Sequence, residues 1–142
     1  NNGEFYLTDA FQYMIDKGAK IRVIDVEGWY DAGKLDTLLE TNRDMLRRDR
    51  ARVPKGLPAD VTVVEPVRIE DGCTISRSTI GPNVTLLGGS VVEDSTIRDS
   101  VLGAKVQVRK SELANSFIGD NAIIEGIKGE LTIADHSEVR GR

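Results

Sequence analysis

A chain of 142 residues holds one domain or slightly more, and a formal net charge of -4, from 23 acids against 19 bases, supplies neither the basic stripe that binds nucleic acid nor a polybasic membrane anchor. No run approaches the roughly 20 apolar residues of a membrane span, and no basic n-region, apolar stretch and cleavage site opens the chain. One cysteine, Cys73, excludes an internal disulfide and one histidine, His136, excludes a site of several histidines, so the expectation is a cytoplasmic protein with a buried thiol.

In chain order, Glu4-Phe5-Tyr6-Leu7 is a short apolar segment and Thr8-Asp9 a good helix start. Ala10, Phe11, Met14 and Ile15 fall on one face of that helix, and Lys17-Gly18 supplies a basic last turn and a C-cap. Glu4, Tyr6 and Thr8 alternate, which aims three hydrogen-bonding groups to one side of an extended segment. Residues 20–26, with Ile21 and Val23, predict a strand. Residues 28–34 form a glycine-bracketed loop in which Trp29 is read as a packing residue. The spacing of Leu35, Leu38, Leu39, Met45 and Leu46 predicts a second helix over residues 35–50, with Arg47, Arg48 and Arg50 suited to its C-terminal end. Pro54, Gly56 and Pro58 make a linker. Helix, strand, loop and helix in about 50 residues cannot enclose a core. A lone strand has nothing to pair with. Residues 1–52 are therefore expected to be the end of a larger domain, the other possibility being a strand that joins a partner chain.

Residues 53–142 read differently. Leu57, Val63, Ile69, Ile75, Ile80, Leu86, Val92, Ile97, Leu102, Val108, Leu113, Ile118, Ile124, Ile133 and Val139 follow one another mostly at steps of five or six. From Val63 to Val139, the residues two positions before these anchors, such as Val61, Cys73, Ser90 and Val106, are never charged. Two inward side chains per strand and a turn after each strand describe a parallel β-helix of hexapeptide repeats. With three sides per turn, Leu57, Ile75, Val92, Val108 and Ile124 stack in one column. Val63, Ile80, Ile97, Leu113 and Ile133 stack in a second, and Ile69, Leu86, Leu102, Ile118 and Val139 in a third, while residues 125–130 protrude as an insertion. The fold class is thus mainly β, about five turns preceded by a small α/β remnant. The five-residue steps place Ser78, Ser95, Ser100, Ser111 and Ser116 two before the anchor. Their hydroxyls are expected to serve backbone groups left by a shortened corner, and to matter more than that of Ser90 on a six-residue step.

Gly3-Glu4-Phe5-Tyr6-Leu7-Thr8-Asp9-Ala10, Gly28-Trp29-Tyr30-Asp31-Ala32-Gly33-Lys34 and Leu38-Leu39-Glu40-Thr41-Asn42 resemble the closing motifs of the sugar-1-phosphate nucleotidyltransferases, and with the repeat they are most similar to the long-form thymidylyltransferase type. The resemblance implies left-handed winding, against the usual right-handed crossover. It implies a C-terminal piece of an enzyme that joins a nucleoside triphosphate to a sugar 1-phosphate with Mg2+, the glycine-rich triphosphate loop lying elsewhere, so that the piece alone is inactive. Asp31 matches the family's second metal-binding aspartate; without the motif it shapes a turn. Glu4, Tyr6 and Thr8 match the segment lining the sugar pocket, and Lys34 is placed to meet a phosphate as a point charge. Without the motif, Thr8 is a helix cap and Lys34 an exposed lysine. Two other readings stay open. One is a hexapeptide-repeat acyltransferase with His136 as base; the other is a module for oligomerisation, a trimer being favoured.

Overall fold

The computed structural model describes residues 6–30 and 32–141. From residue 61 it is a three-sided parallel β-solenoid. Face 1 carries β3 (Thr74–Ser76), β6 (Val91–Glu93), β9 (Gln107–Arg109), β12 (Ile123–Glu125) and β15 (Glu138–Arg140). Face 2 carries β1 (Val61–Val63), β4 (Ser78–Ile80), β7 (Thr96–Arg98), β10 (Glu112–Ala114) and β13 (Lys128–Gly129). Face 3 carries β2 (Val67–Ile69), β5 (Val84–Leu86), β8 (Val101–Leu102), β11 (Phe117–Ile118) and β14 (Thr132–Ile133).

Each strand pairs in parallel with the strand one turn away, so like side chains stack. Ile80 registers with Ile97 and Ile97 with Leu113 on face 2. Ile69, Leu86, Leu102 and Ile118 do the same on face 3. The anchors fill a dry interior in which Ile80, Leu86, Val92, Ile97, Leu102, Val108 and Ile124 are completely buried. Burying an aliphatic side chain of this size contributes about 1.5–3 kcal/mol, and because each turn covers the next, that gain is shared between nearest neighbours.

The last turn departs from the expected columns. Leu113 registers with Gly129, so β13 takes the face 2 position, Ile133 moves to face 3 opposite Ile118, and Val139 moves to face 1 opposite Ile124. Residues 125–130 are therefore one side of the coil and not a protrusion. A ladder joins backbones and requires no side chain, so a glycine at an inward position is invisible to a count of aliphatics. Ile127, two residues before Gly129, packs against the core in its place.

The corners share one backbone device. The residue just before the first inward position is left-handed at Gly72, Arg77, Asn83, Gly89, Asp94, Asp99, Lys105, Lys110, Asn115, Asn121, Gly126 and His136. At several of these the turned amide donates to a carbonyl one turn back, as in Asp94 to Ser76 (3.2 Å), Lys105 to Gly88 (3.1 Å) and His136 to Asp120 (2.8 Å). A left-handed residue reverses the chain in one step, and Asn and Asp tolerate that region better than most side chains.

Serine hydroxyls then join turn to turn inside the corners. Ser95 Oγ donates to the Glu93 carbonyl (2.7 Å) and accepts from the Ser111 amide (3.1 Å). Ser78, Ser100, Ser111 and Ser116 each repeat the pattern of one carbonyl two residues back and one amide in the next turn. Ser90, on a six-residue corner, is equally engaged: it donates to Gly103 O and accepts from Val106 N, both at 3.0 Å. The expected contrast between Ser90 and the others has no basis in bond number, because the longer corner also leaves a buried amide to satisfy. Cys73 sits one turn from Ser90, half-buried, and its Sγ donates to Leu87 O at 3.3 Å. Burial pushes the Cys73 thiol above its ordinary value.

Among the described residues of the N-terminal region, the regular elements are helices. Helix α1 (Leu7–Asp16) starts one residue before Thr8, with Tyr6 as N-cap, and Gly18 closes it in a left-handed conformation. Thr8 lies inside the first turn and is not a cap, so the strand-like alternation ends at Tyr6; Glu4 lies outside the described residues. No residue of α1 is buried. Residues 20–26 form no strand, and Val23 is 86% exposed. A strand exists only by pairing, and no described strand lies beside these residues. Helix α2 (Leu35–Met45) continues into a π-helical turn, Leu46–Arg50. Leu39 and Leu46 are buried while Leu35 and Met45 are exposed, so only part of the expected stripe is covered. Arg52 caps the first turn through a parallel bridge to Arg68.

Candidate functional site

The loop over residues 28–34 ends where α2 begins, and local bonds set the junction. The Lys34 amide donates to Thr37 Oγ1 (3.3 Å), and that hydroxyl donates back to the Lys34 carbonyl (3.0 Å). Thr37 thus satisfies backbone groups that a helix start leaves open. Lys34 is the N-cap residue and its side chain is exposed.

Tyr30 pins the loop to the helix. Its hydroxyl donates to Asp44 Oδ2, and the same carboxylate oxygen pairs with Arg48 Nε at 3.0 Å. The Asp44 and Arg48 side chains meet because they lie four residues apart on one helix face. The Arg48 guanidinium sits 5.7 Å from the centre of the Tyr30 ring. The Tyr30 hydroxyl is pushed above its ordinary pKa, mainly because its proton is shared with the Asp44 carboxylate, with desolvation adding and Arg48 opposing. Trp29 is 85% exposed, so it does not pack inside this chain as expected. A cavity of about 770 Å3 opens between Trp29, Tyr30, Thr37, Glu40, Arg43 and Arg47.

The solenoid-facing side of α2 is fixed to the corner between faces 2 and 3. Arg43 Nε bonds Asp99 Oδ1 (3.1 Å) and its Nη2 bonds Asn115 Oδ1 (3.3 Å). Asn42 donates to the Asn83 carbonyl (3.2 Å) and accepts from Thr85 Oγ1 (2.6 Å). Asn83 in turn donates to Asp99 at 3.0 Å. These partners occupy three successive turns of the solenoid, and the left-handed corner that suits Asn and Asp presents their side chains to the helix.

Of the residues expected to form a site, Asp31 and Glu4 lie outside the described residues. Tyr6 and Thr8 flank the start of α1 and, with Lys34, are not among the residues lining the cavity beside α2. Among the described residues no group of three or more His, Cys, Asp or Glu side chains is placed to hold a metal ion. His136 is exposed at a left-handed corner, φ 59, one turn from Asn121 and two from Lys105 in the same column. The turn accounts for its place. Motif reading did not find Tyr30, Asn42, Arg43 and Asp44 as a connected set. The available signals were the Asp44/Arg48 spacing on one helix and the recurrence of Asn83, Asp99 and Asn115 every 16 residues.

Fold and site together define a parallel β-solenoid protein with a helix-and-loop segment fastened along one edge. No family model matches the chain. It is similar to the glucose-1-phosphate thymidylyltransferase of Streptomyces antibioticus, 28% identical over 128 residues, covering 89% of this chain and 36% of that protein. It is similar to the bifunctional protein GlmU of Campylobacter curvus, 27% identical over 161 residues, covering 96% and 36%. The glucose-1-phosphate adenylyltransferase of Bacillus thuringiensis is 28% identical over 152 residues, covering 93% and 37%. The chain spans little more than a third of the length of these relatives. Its homologues are sugar-1-phosphate nucleotidyltransferases, in agreement with the motifs. No helix among the described residues is long and apolar enough to cross a membrane.

Proposed function

We propose that the chain is part of an enzyme that transfers a nucleotidyl group from a nucleoside triphosphate, of dTTP or UTP type, to a sugar 1-phosphate. A phosphate oxygen of the sugar attacks the α-phosphorus in line, and the bond to the leaving pyrophosphate breaks. The observation that carries this reading is similarity running through both the loop motif and the solenoid, to relatives whose names state transfer to glucose 1-phosphate. Those names differ in the nucleotide, so dTTP or UTP is part of the proposal.

In this reading Asp31 lends one carboxylate to a bound Mg2+, an oxygen ligand suited to a hard cation. When bound, that ion neutralises charge on the phosphates. Glu4, Tyr6 and Thr8 serve the sugar side. Lys34, exposed at the start of α2, meets a phosphate. The solenoid supports the domain and associates subunits, a trimer being the favoured assembly, since flat faces of stacked short strands suit side-by-side contact.

The test is pyrophosphate release by the full-length protein supplied with dTTP or UTP, glucose 1-phosphate and magnesium. Release that disappears in Asp31→Asn supports the reading. No release with any nucleoside triphosphate and sugar 1-phosphate, together with acyl transfer from a coenzyme A thioester that is lost in His136→Ala, would replace it. Sedimentation as a monomer at high concentration would remove the assembly role.

A further inference from the structure

Arg43 and Asp44 are adjacent, and successive side chains of a helix point about 100° apart. One reaches the solenoid and the other the loop. The geometry points to α2 as a strut that fixes the loop of Trp29 and Tyr30 relative to the solenoid, with Arg43, Asp44 and Tyr30 as positioning residues for nucleotidyl transfer. This rests on the function proposed above.

On the solenoid side, the bonds are directional and spread along the axis. The Arg43 guanidinium bridges Asp99 on one turn and Asn115 on the next, and Asn42 engages Asn83 and Thr85 on the turn before. Rotating or sliding the helix breaks several of these together. Buried Leu39 and Leu46 hold the helix down, but hydrophobic burial is non-directional and sets no register. Asp99 is itself braced by Asn83, and Asn115 by Glu130 at 3.0 Å, so the anchor points belong to a polar ridge and not to isolated side chains. On the loop side, the Tyr30 hydroxyl ends on Asp44 while Arg48 covers its ring. The path from Asp99 to Tyr30 is continuous: two side-chain contacts joined by the single backbone step from Arg43 to Asp44. A displacement of about 1 Å in a segment that positions reacting groups costs up to about a hundredfold in rate.

Trp29 is the only tryptophan of the chain and lies next to Tyr30, so its fluorescence anisotropy follows the loop independently of any activity. In the 142-residue chain, Tyr30→Phe and Arg43→Ala should each lower that anisotropy. Adding Asp99→Asn to Arg43→Ala should lower it no further, since the two changes break the same bond. Arg77→Asn, which breaks the Arg77–Asp94 pair at the corner between faces 1 and 2, should leave it unchanged. In the full-length enzyme, Arg43→Ala should reduce kcat about tenfold or more with KM for the sugar 1-phosphate and the solenoid melting transition unmoved. An unchanged Trp29 signal in Tyr30→Phe or Arg43→Ala overturns the strut. A lowered signal with normal kcat overturns the positioning role. A lowered signal in a full-length protein whose wild type transfers no nucleotide upholds the strut and overturns the function it was assigned to serve.

Discussion

Residues 6–30 and residues 61–141 carry apolar side chains to opposite ends. In the solenoid, Ile97 stands between Ile80 and Leu113 and is wholly buried. In α1, Phe11 is 46% exposed on a helix that buries nothing. The difference is one of where the partner lies. A solenoid turn finds its partner sixteen or so residues away along the same chain, so a short repeat suffices to specify it. An amphipathic helix specifies a face and leaves open what covers it.

The sharpest way to break this comparison is to remove similar amounts of apolar surface from each region. Ile97→Ala should lower the unfolding free energy by about 2–5 kcal/mol, the range for a cavity in a packed core. Phe11→Ala should change it by no more than about 0.5 kcal/mol, as for other surface positions. Urea denaturation followed by far-UV circular dichroism reads both, and comparable losses would erase the distinction between the regions.

Within the solenoid, Ser95→Ala should cost about 1–3 kcal/mol, because the Ser111 amide and the Glu93 carbonyl lose their common partner away from water. Ser90→Ala should cost about as much. A clearly smaller loss for Ser90 would mean that the longer corner relaxes to find other bonds. A smaller effect is expected at Cys73. Its raised thiol pKa means that the folded chain holds the proton more tightly, so the associated stability is present below the ordinary thiol value and fades as pH rises through the native one. Iodoacetamide should therefore label the folded chain more slowly than the urea-unfolded chain at the same mildly alkaline pH.

The smallest effect belongs to the Arg77–Asp94 pair, 2.6 Å apart at an exposed corner. The hydrogen bond from Arg77 holds the Asp94 carboxyl below its ordinary value. Its contribution is present above the ordinary carboxylate range and is lost as pH falls through the lowered native value. Solvent screens such a pair, so Asp94→Asn should leave the urea midpoint unmoved at neutral pH and remove only a slight acid dependence.

The solenoid was legible because its periodicity states both the strands and their neighbours. Twelve steps from Leu57 to Ile124 are enough to stack Ile80, Ile97 and Leu113 from the sequence alone. The reading failed at Gly129, where the inward residue has no side chain to count, and that one omission displaced Ile133 and Val139 by a face each. The motif at residues 28–34 marks a segment that borders the cavity beside α2, but it carries no sign of the bonds that hold that segment. Tyr30 and Asp44 are 14 residues apart and Arg43 and Asn115 are 72 apart, distances that no local pattern links. Residues 20–26 alternate as a strand should, yet alternation describes only one half of a ladder.

Among the described residues, nine that bear side chains adopt the left-handed turn, including arginine, lysine, aspartate, asparagine and histidine. The turn disfavours β-branched side chains yet accepts either sign of charge, so substitutions there can rewrite the charge of the outer edges while the aliphatic interior stays the same. Two proteins of this build would keep one silhouette and still offer unlike outlines of charge to whatever approaches them.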